Sequence, residues 1–314
     1  MSDHRLPPFA SLLKSRDVED PVNIYVHRPL AYGFVRLVHR TPITPNQVTL
    51  LAMVVGIAAG VLFVWGAPAA MVAGGVMLWA SAILDGADGI LARAKNMQSE
   101  LGRALDGSAD VIVAIATVLP GFYHVWVQRG DPLHLWLMVP AIGGAMLHIY
   151  LYDFYKESYL HMTRLDRPPE NSDVDAVAKR LERLRAERAP WYVVQAVKML
   201  LDLTRSQRAI VAWTNPAATR DGLRFVRNAE TARIYRENNI GAMRLWAFIS
   251  LCPHTYLMAI CAMTDRLDVY LWIRLILMNA VFLVVLLWQR RASDKTLREL
   301  SDIGAAPVPG AQIA

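Results

Sequence analysis

The sequence predicts an all-α polytopic membrane protein, and three observations support this fold class. Of the 314 residues, 54% are hydrophobic and only 19% are charged, a composition typical of membrane proteins. The apolar residues are concentrated in six stretches, each close to the ~20 residues that a helix needs to cross a bilayer. Positive charges are distributed unevenly between these stretches, which predicts an orientation. The predicted spans are residues 47–65, 68–84, 111–127, 133–152, 245–264 and 269–288.

The spans divide the chain into five segments. The first combines a polar tail over residues 1–21, which we expect to be loosely held, with a juxtamembrane amphipathic helix. A helical cytoplasmic insertion separates the fourth span from the fifth. The segments are residues 1–44 (tail and amphipathic helix), 45–156 (spans one to four), 157–240 (insertion), 241–291 (spans five and six) and 292–314 (C-terminal tail).

The stretch VNIYVHRPLAYGFVRLVHR, which begins at Val22, predicts the amphipathic helix. A helix of this kind either lies on the membrane surface or packs on the protein itself, and both possibilities remain open. Its apolar face holds Leu30, Phe34, Leu37 and Val38, and its positive charges come from Arg28, Arg36, His39 and Arg40.

The insertion over residues 157–240 contains two further helical patterns. DAVAKRLERLRAER alternates acidic and basic residues at helical spacing, which predicts a solvated helix. WYVVQAVKMLLDL, residues 191–203, is too short to span a bilayer, so we expect it to be interfacial or packed on the domain. The insertion could shape an acceptor site, cover an active site, mediate self-association or serve only a structural purpose.

The distribution of Lys and Arg predicts the topology. These residues are abundant between spans two and three, in the insertion and after the last span, whereas the opposite loops hold only Arg129 and Arg266. By the positive-inside rule, both termini and the loop between spans two and three face the cytoplasm. We therefore expect an integral protein of the cytoplasmic (inner) membrane. The net charge of +6 follows from this topology and does not indicate nucleic-acid binding.

Four aspartates flank the loop between spans two and three. Asp85 and Asp88 are three residues apart, and Asp106 and Asp110 are four apart, so on helices each pair points from one face. Four like charges beside a low-dielectric slab repel each other and require a compensating cation. Oxygen ligands without a matching set of His or Cys favour magnesium, manganese or calcium over zinc. The alternative is that these residues only form turns or cap helices.

The run that holds these aspartates, DGADGILARAKNMQSELGRALDGSAD, closely resembles the motif of the CDP-alcohol phosphotransferase family. That motif is Asp-x-x-Asp-Gly-x-x-Ala-Arg, about eight residues, then Gly-x-x-x-Asp-x-x-x-Asp, and every fixed position is present. The resemblance covers about residues 22–127. It implies a metal-dependent enzyme of phospholipid biosynthesis that transfers a phospho-alcohol or phosphatidyl group from a CDP-linked donor to an acceptor hydroxyl and releases CMP. It also implies two Mg²⁺ or Mn²⁺ ions, an active site facing the cytoplasm and a homodimer.

The resemblance assigns roles to individual residues. Asp110 is the implied general base. On chemistry alone, Asn46 and Thr49 could be capping groups, and Ser99 could be the N-cap of the third span's helix. The implied metal ligands are Asp85, Asp88, Asp106 and Asp110, and the implied contacts to the CDP group, including close packing beside it, are Pro45, Asn46, Gln47, Thr49, Gly89, Arg93, Ser99 and Gly102.

The substrates are less well defined than the reaction. Many family members have Arg after the last aspartate of the motif, whereas this chain has Val111, so the headgroup remains open. The stretch HRPLAYGFVRLVHRTPITPNQVTLL is similar to the inositol-phosphate-transferring branch, which favours inositol or inositol phosphate as a substrate. Glycerol phosphate, serine, choline, ethanolamine or diacylglycerol are the alternatives.

Two other classes of membrane protein also use acidic residues. An intramembrane prenyltransferase also binds magnesium diphosphate through Asp-rich motifs, but its acidic motifs usually lie in two distant halves of the chain. A transporter with acidic gating residues would place its charges near the middle of the membrane, whereas here they cluster at one edge.

Overall fold

A computed structural model describes residues 7–9, 15–165, 174–219 and 225–305. Parts of the predicted N-terminal tail, insertion and C-terminal tail lie outside the described residues. Every element within the described residues is a helix, so the predicted all-α class is confirmed. The helices are α1 (Arg28–Val38), α2 (Pro45–Trp65), α3 (Pro68–Ala94), α4 (Glu100–Arg129), α5 (Leu133–Thr163), α6 (Val174–Ala186), α7 (Trp191–Thr214), α8 (Pro216–Thr219), α9 (Ala229–Ala247), α10 (Leu251–Met263), α11 (Leu267–Trp272) and α12 (Asn279–Asp302), with π-helical segments at Asn23–His27 and Ile273–Met278.

Six helical segments in the described part of the chain are long and apolar enough to cross a membrane. This confirms the six predicted spans. Most of the segments extend past the apolar core because polar turns of helix continue at their ends. The six segments are Pro45–Trp65, Pro68–Ala94, Ala104–Arg129, Leu133–Thr163, Ala229–Met263 and Leu267–Asp302.

Local sequence signals explain how the first three spans begin and end. Thr44 caps α2 in a capping box with Gln47, and Pro45 occupies the first helical turn, where its missing N–H costs nothing. Gly66 ends α2 with a left-handed φ of 72°, which turns the chain directly into α3. Ser99 caps α4 by accepting a hydrogen bond from the Gly102 N–H at 3.0 Å.

The turn from α3 to α4 brings the two acidic pairs together. Asn96 has a φ of 53°, a left-handed conformation that Asn tolerates better than most residues. The Asn96 N–H donates to the Arg93 carbonyl at 3.3 Å, and the Met97 N–H donates to the Ala92 carbonyl at 2.9 Å, which is the hydrogen-bond pattern of a Schellman motif. The chain therefore reverses within a few residues, and α4 runs back beside α3.

The chain forms two compact units, the first made of residues 1–147 and 247–281. Its apolar core lies among α2, α3, α4 and α10, and includes Phe63, Met71, Phe122 and Met258. Small residues allow the helices to approach closely, and a Cβ on Gly56 of α2 would lie only 2.7 Å from a methyl carbon of Val113.

The second unit consists of residues 148–246 and 282–314. Within it, α6 and α7 pack as a hairpin through Val177, Leu181, Val197 and Leu201. The helix α6 confirms the predicted charged helix of the insertion, whereas α7 continues to Thr214, well beyond the predicted segment 191–203.

The N-terminal segment differs from the prediction. Val18, Glu19 and Asp20 are buried, so the expectation of a loosely held tail over residues 1–21 is wrong for this part of it. The reason is a tertiary one, because an ion pair of Glu19 with Arg28 attaches the segment to the start of α1.

The amphipathic helix α1 has two apolar surfaces. Ala31, Val35 and Val38 are buried in a cluster that also contains Ala87, Ile90 and Leu91 of α3. Leu30 and Leu37, which were predicted to share a face with Val38, are exposed. The helix therefore packs on the protein and also presents apolar side chains outwards, so the two possibilities left open by the sequence are compatible.

Candidate metal and nucleotide site

Three of the four predicted aspartates form a compact cluster. Asp85 and Asp88 come from the last turns of α3, and Asp106 comes from the second turn of α4. One carboxylate oxygen from each lies within 4.8 Å of the others. Asp88 is buried and the other two are half-buried, so the cluster is open on one side. An arrangement of this kind can hold a divalent cation through oxygen ligands.

Asp110 lies one turn after Asp106 on the same helix and is not one of this group of three. Its carboxylate interacts electrostatically with that of Asp85. Three of the four side chains thus form the cluster, and Asp110 follows on the next turn of α4.

Thr49 supports this cluster from α2. Its hydroxyl donates a hydrogen bond to the Asp88 carboxylate, and its oxygen also lies 3.2 Å from the Pro45 carbonyl oxygen. Thr49 and Pro45 are buried. The N-cap of α2 is Thr44, so Thr49 orients a candidate metal ligand and does not cap the helix.

Asn46 and Gly102 place the start of α2 next to the start of α4. A Cβ added at Gly102 would lie 3.3 Å from Asn46 Oδ1 and 3.1 Å from Ser99 Oγ, which leaves little room for a larger residue. Ser99 is the N-cap of α4, as the chemistry of its side chain allows. Gln47 is exposed, and its side-chain oxygen accepts the Thr44 N–H at 2.9 Å. A contact of these four residues with the CDP group remains a prediction.

Gly89 and Arg93 lie next to the acidic cluster on α3. A Cβ at Gly89 would be 3.5 Å from Arg93 Nη1, so the guanidinium group lies over the bare backbone of the glycine. Arg93 is half-buried and experiences the charges of Asp88, Glu19 and Arg28. A guanidinium held beside a cation site is suited to bind a phosphate oxygen.

The sequence did not identify the Glu19–Arg28 pair as part of this region. Arg28 donates from Nε and Nη2 to the two Glu19 carboxylate oxygens at 3.0 and 2.9 Å, and from Nη1 to the Gly86 carbonyl at 3.4 Å. Burial lowers the pKa of the Arg28 guanidinium, but the Glu19 carboxylate outweighs this effect and the net pKa is raised. The pair therefore joins the N-terminal segment to the helix turn that begins at Asp85. Helical periodicity could not indicate it, because Glu19 precedes the helix.

His27 attaches the same segment at a second point. Its Nε2 accepts a hydrogen bond from Trp79 Nε1 at 2.7 Å, and its Nδ1 lies 3.2 Å from Cys252 Sγ. Burial, followed by the charge of Arg28, lowers the pKa of His27 to about 4. The imidazole is therefore neutral at physiological pH, as its role as acceptor requires.

Lys95 fixes the connection before α2. Its Nζ donates to the Thr41 carbonyl at 2.8 Å and to the Ile43 carbonyl at 2.7 Å. These bonds hold the segment that precedes α2 against the end of α3. The candidate nucleotide-binding residues lie on these two helices and at the start of α4. In the sequence Lys95 appeared only as one of the positive charges of the loop.

The chain is similar in sequence to one family and to two curated proteins. Residues 42–165 match the family model of the CDP-alcohol phosphatidyltransferases. The chain is 28% identical over 144 residues to the Bifunctional IPC transferase and DIPP synthase of Thermococcus kodakarensis, an alignment that covers 42% of the chain and 30% of the relative. It is 31% identical over 104 residues to the Inner membrane protein YnbA of Escherichia coli, which covers 32% of the chain and 52% of the relative.

The chain thus spans about a third of one curated relative and about half of the other. The matched range begins just before α2 and includes the whole acidic motif together with α5. Motif, helix arrangement and family match all concern the same part of the molecule. Residues 42–165 are therefore the part of the chain that is similar to the CDP-alcohol phosphatidyltransferase family.

Proposed function

We propose that this protein transfers a phospho-alcohol or phosphatidyl group from a CDP-linked donor to an acceptor hydroxyl, with release of CMP, as an enzyme of phospholipid biosynthesis. The observation that carries the proposal is the carboxylate cluster of Asp85, Asp88 and Asp106 beside the Arg93 guanidinium. The cluster can hold a cation, and the guanidinium can bind an anionic diphosphate.

The residues present fit a divalent metal. The clustered donors are all carboxylate oxygens, contributed by two helices, and one of them is oriented by the Thr49 hydroxyl. This donor set suits Mg²⁺ or Mn²⁺ better than zinc. Asp85, Asp88, Asp106 and Asp110 would hold the ions, and two ions are what the resemblance to the family implies. Bound metal supplies Lewis-acid stabilisation of charge on the diphosphate oxygens.

The chain's own residues account for the remaining requirements of the reaction. Asp110, beside the cluster, takes the proton of the acceptor hydroxyl as it attacks phosphorus. Arg93 binds a phosphate oxygen, and Gly89 lets the nucleotide approach the backbone of α3. Asn46 and Thr49 lie in the first turns of α2. We assign them to the region that binds the cytidine end of the donor, together with Pro45, Gln47, Ser99 and Gly102.

The family relationship leaves the substrates less well defined. One relative is named as an IPC transferase and DIPP synthase, and the segment before α2 resembles the inositol-phosphate branch. We therefore propose inositol or inositol phosphate as one substrate, with the CDP-linked donor either CDP-diacylglycerol or a CDP-alcohol. We also propose that the site faces the cytoplasm, where CDP conjugates are made, and that the protein is a homodimer.

The direct test is CMP release by the full-length protein in lipid nanodiscs with Mg²⁺ or Mn²⁺. A panel of CDP-linked donors and hydroxyl acceptors should contain one pair that gives metal-dependent CMP release, and EDTA should abolish it. Failure of the whole panel, or consumption of a prenyl diphosphate in its place, would contradict the proposal and favour the prenyltransferase alternative.

The role of Asp110 is tested with Asp110→Asn, which keeps the shape of the side chain and removes the base. We expect turnover to fall by about 100-fold or more, the usual contribution of a general base, while binding of a CDP-linked donor remains measurable. Asp294→Asn, on α12, is the matched control and should retain full activity. Near-normal turnover of Asp110→Asn would remove Asp110 from the base role.

A further inference from the structure

The helix α7 of the insertion has two apolar faces. Val197 and Leu201 are buried in the hairpin against α6. Another set of apolar side chains is exposed. The exposed fractions are 77% for Trp191, 65% for Met199, 45% for Leu203 and 84% for Trp213. At 3.6 residues per turn, the exposed set lies opposite the buried set. We call Trp191, Met199, Leu203 and Trp213 the outer face of α7.

The outer face has the form of a membrane-interface surface. Its two tryptophans lie near the ends of the helix, 22 residues and so about 33 Å apart at 1.5 Å per residue. Trp is enriched at the level of the lipid headgroups, where its apolar ring and polar N–H are both accommodated. The exposed polar side chains of Gln195, Asp202 and Ser206 lie on the same side of the helix, so the outer face is amphipathic. An amphipathic helix of this kind suits a membrane interface.

The charge of the hairpin complements an anionic surface. Between residues 174 and 214 it carries eight Lys and Arg and four Asp and Glu, a net charge of +4. Lys198 and Arg205 of α7 are exposed at the flank of the outer face. Basic residues of this kind attract anionic lipid headgroups. The same charges keep α7 out of the group of six candidate spans.

The contact between α7 and α5 sets the depth of the outer face. The Tyr150 hydroxyl of α5 donates to the Leu203 carbonyl and lies 2.7 Å from Ser206 Oγ, and Gln207 Nε2 donates to the Tyr150 carbonyl at 2.6 Å. Counted along α5 from Leu133, Tyr150 is 17 residues and so about 26 Å into the span, close to the ~30 Å thickness of a hydrocarbon core. The middle of α7 therefore meets α5 near the level of the headgroups.

We propose that α7 lies in the headgroup region of the leaflet at which α5 leaves the bilayer, with Trp191, Met199 and Trp213 towards the lipid chains and its basic flank on anionic headgroups. The insertion is then a second membrane anchor of the protein, attached to α5 at Tyr150. This inference does not depend on the proposed transferase activity.

The test places a fluorescent label at Met199→Cys in the full-length protein and, as a matched control, at Glu182→Cys, an exposed position of α6. Cys261 is buried and Cys252 half-buried, and the unsubstituted chain measures their background. The labelled proteins are placed in nanodiscs that hold one copy or two copies, made of phosphatidylcholine with or without phosphatidylglycerol. Quenching is measured with a spin-labelled lipid and with aqueous iodide.

We expect the label at position 199 to be quenched severalfold more by the lipid quencher than the label at position 182, and to be shielded from iodide. The shielding should be stronger in discs that contain phosphatidylglycerol. Equal access of iodide to both labels would overturn the proposal. Shielding that appears only when two copies share a disc would also overturn it, because the occupant would then be a second chain, and equal shielding in both lipid mixtures would rule out the anionic preference.

Discussion

At the scale of single residues, the acidic motif depends on partners that the motif does not contain. Thr49 reaches from α2 to the Asp88 carboxylate and so fixes the orientation of one candidate ligand. Outer-shell partners of this kind usually affect metal affinity strongly, since a ligand that can rotate away must be reordered when metal binds.

Thr49→Val keeps the volume of the side chain and removes the hydroxyl. We expect the Mg²⁺ concentration needed for half-maximal CMP release to rise by about tenfold, because Asp88 loses its orienting hydrogen bond. The measurement is a metal titration of activity. Thr117→Val is the control, since Thr117 is also buried but its hydroxyl bonds only to carbonyls of its own helix. An unchanged metal requirement in Thr49→Val would show that Asp88 does not depend on Thr49.

The Glu19–Arg28 ion pair also depends on single side chains. Both side chains are largely buried, with exposed fractions of 7% for Glu19 and 13% for Arg28. When one partner of such a pair is removed, the other charge is left in a poorly solvated site, which costs more than the pair contributed. An exposed pair has no such penalty.

Arg28→Met should therefore lower the free energy of unfolding by about 3 kcal/mol, and Glu19→Gln by a similar amount. The double variant should lose clearly less than the two single losses added together, because neither charge remains unpaired. Thermal unfolding in detergent measures all three. Glu237→Gln, which breaks the exposed Arg233–Glu237 pair, should cost less than about 0.5 kcal/mol. Strict additivity of the two buried substitutions would contradict the pairing.

At the scale of elements, the site depends on how closely α2, α3 and α4 pack. Gly56 of α2 faces both neighbours, since a Cβ there would lie 2.7 Å from Val113 Cγ1 of α4 and 2.9 Å from Ser81 Oγ of α3. The Ser81 hydroxyl in turn donates to the Ala52 carbonyl of α2 at 2.7 Å. This small-residue contact lets the three helices bring Thr49, Asp88 and Asp106 within reach of one another.

Gly56→Ala should destabilise the protein by about 1–3 kcal/mol, the usual cost of overpacking a tight helix contact. Gly107→Ala is the matched control on α4, where a Cβ would meet nothing within 4 Å, and there the higher helix propensity of Ala should stabilise by about 0.5 kcal/mol. Thermal unfolding measures the stability of both variants. Equal changes in stability for Gly56→Ala and Gly107→Ala would show that the helices separate at Gly56 without cost.

At the scale of the whole molecule, the proposed topology can be tested directly. Met97 lies exposed in the turn between α3 and α4, and Asp131 lies exposed in the turn between α4 and α5, at the opposite end of α4. Because the positive charges are concentrated on the Met97 side, we expect that side to face the cytoplasm.

Met97→Cys should react with a membrane-impermeant maleimide in inside-out vesicles and not in right-side-out vesicles. Asp131→Cys should show the reverse pattern, because one helix crossing separates the two positions. Gel-shift of the labelled protein measures both. Reaction of Met97→Cys from the outer side would place the candidate site on the wrong face for a cytoplasmic CDP-linked donor.

Much of the fold follows from the sequence alone, because a bilayer imposes simple requirements. Continuous apolar stretches of sufficient length predict the spans, and Asp at three- and four-residue spacing predicts acidic helix faces beside them. The sequence also contains the signals for the turn that joins these faces, with Asn96 after the last turn of α3 and Ser99 as the cap of α4. Residue pattern was therefore enough for the class, the six spans and the acidic motif.

Only the tertiary structure decided which residues support the motif. Thr49 lies far from Asp88 in the chain, and their contact arises because helices with small residues at their interfaces approach closely. The same holds for α7, whose outer face could be identified only once α6 was seen to cover the opposite one. Local periodicity determines which side chains share a face, but what covers each face depends on contacts between distant parts of the chain, and no local pattern encodes these.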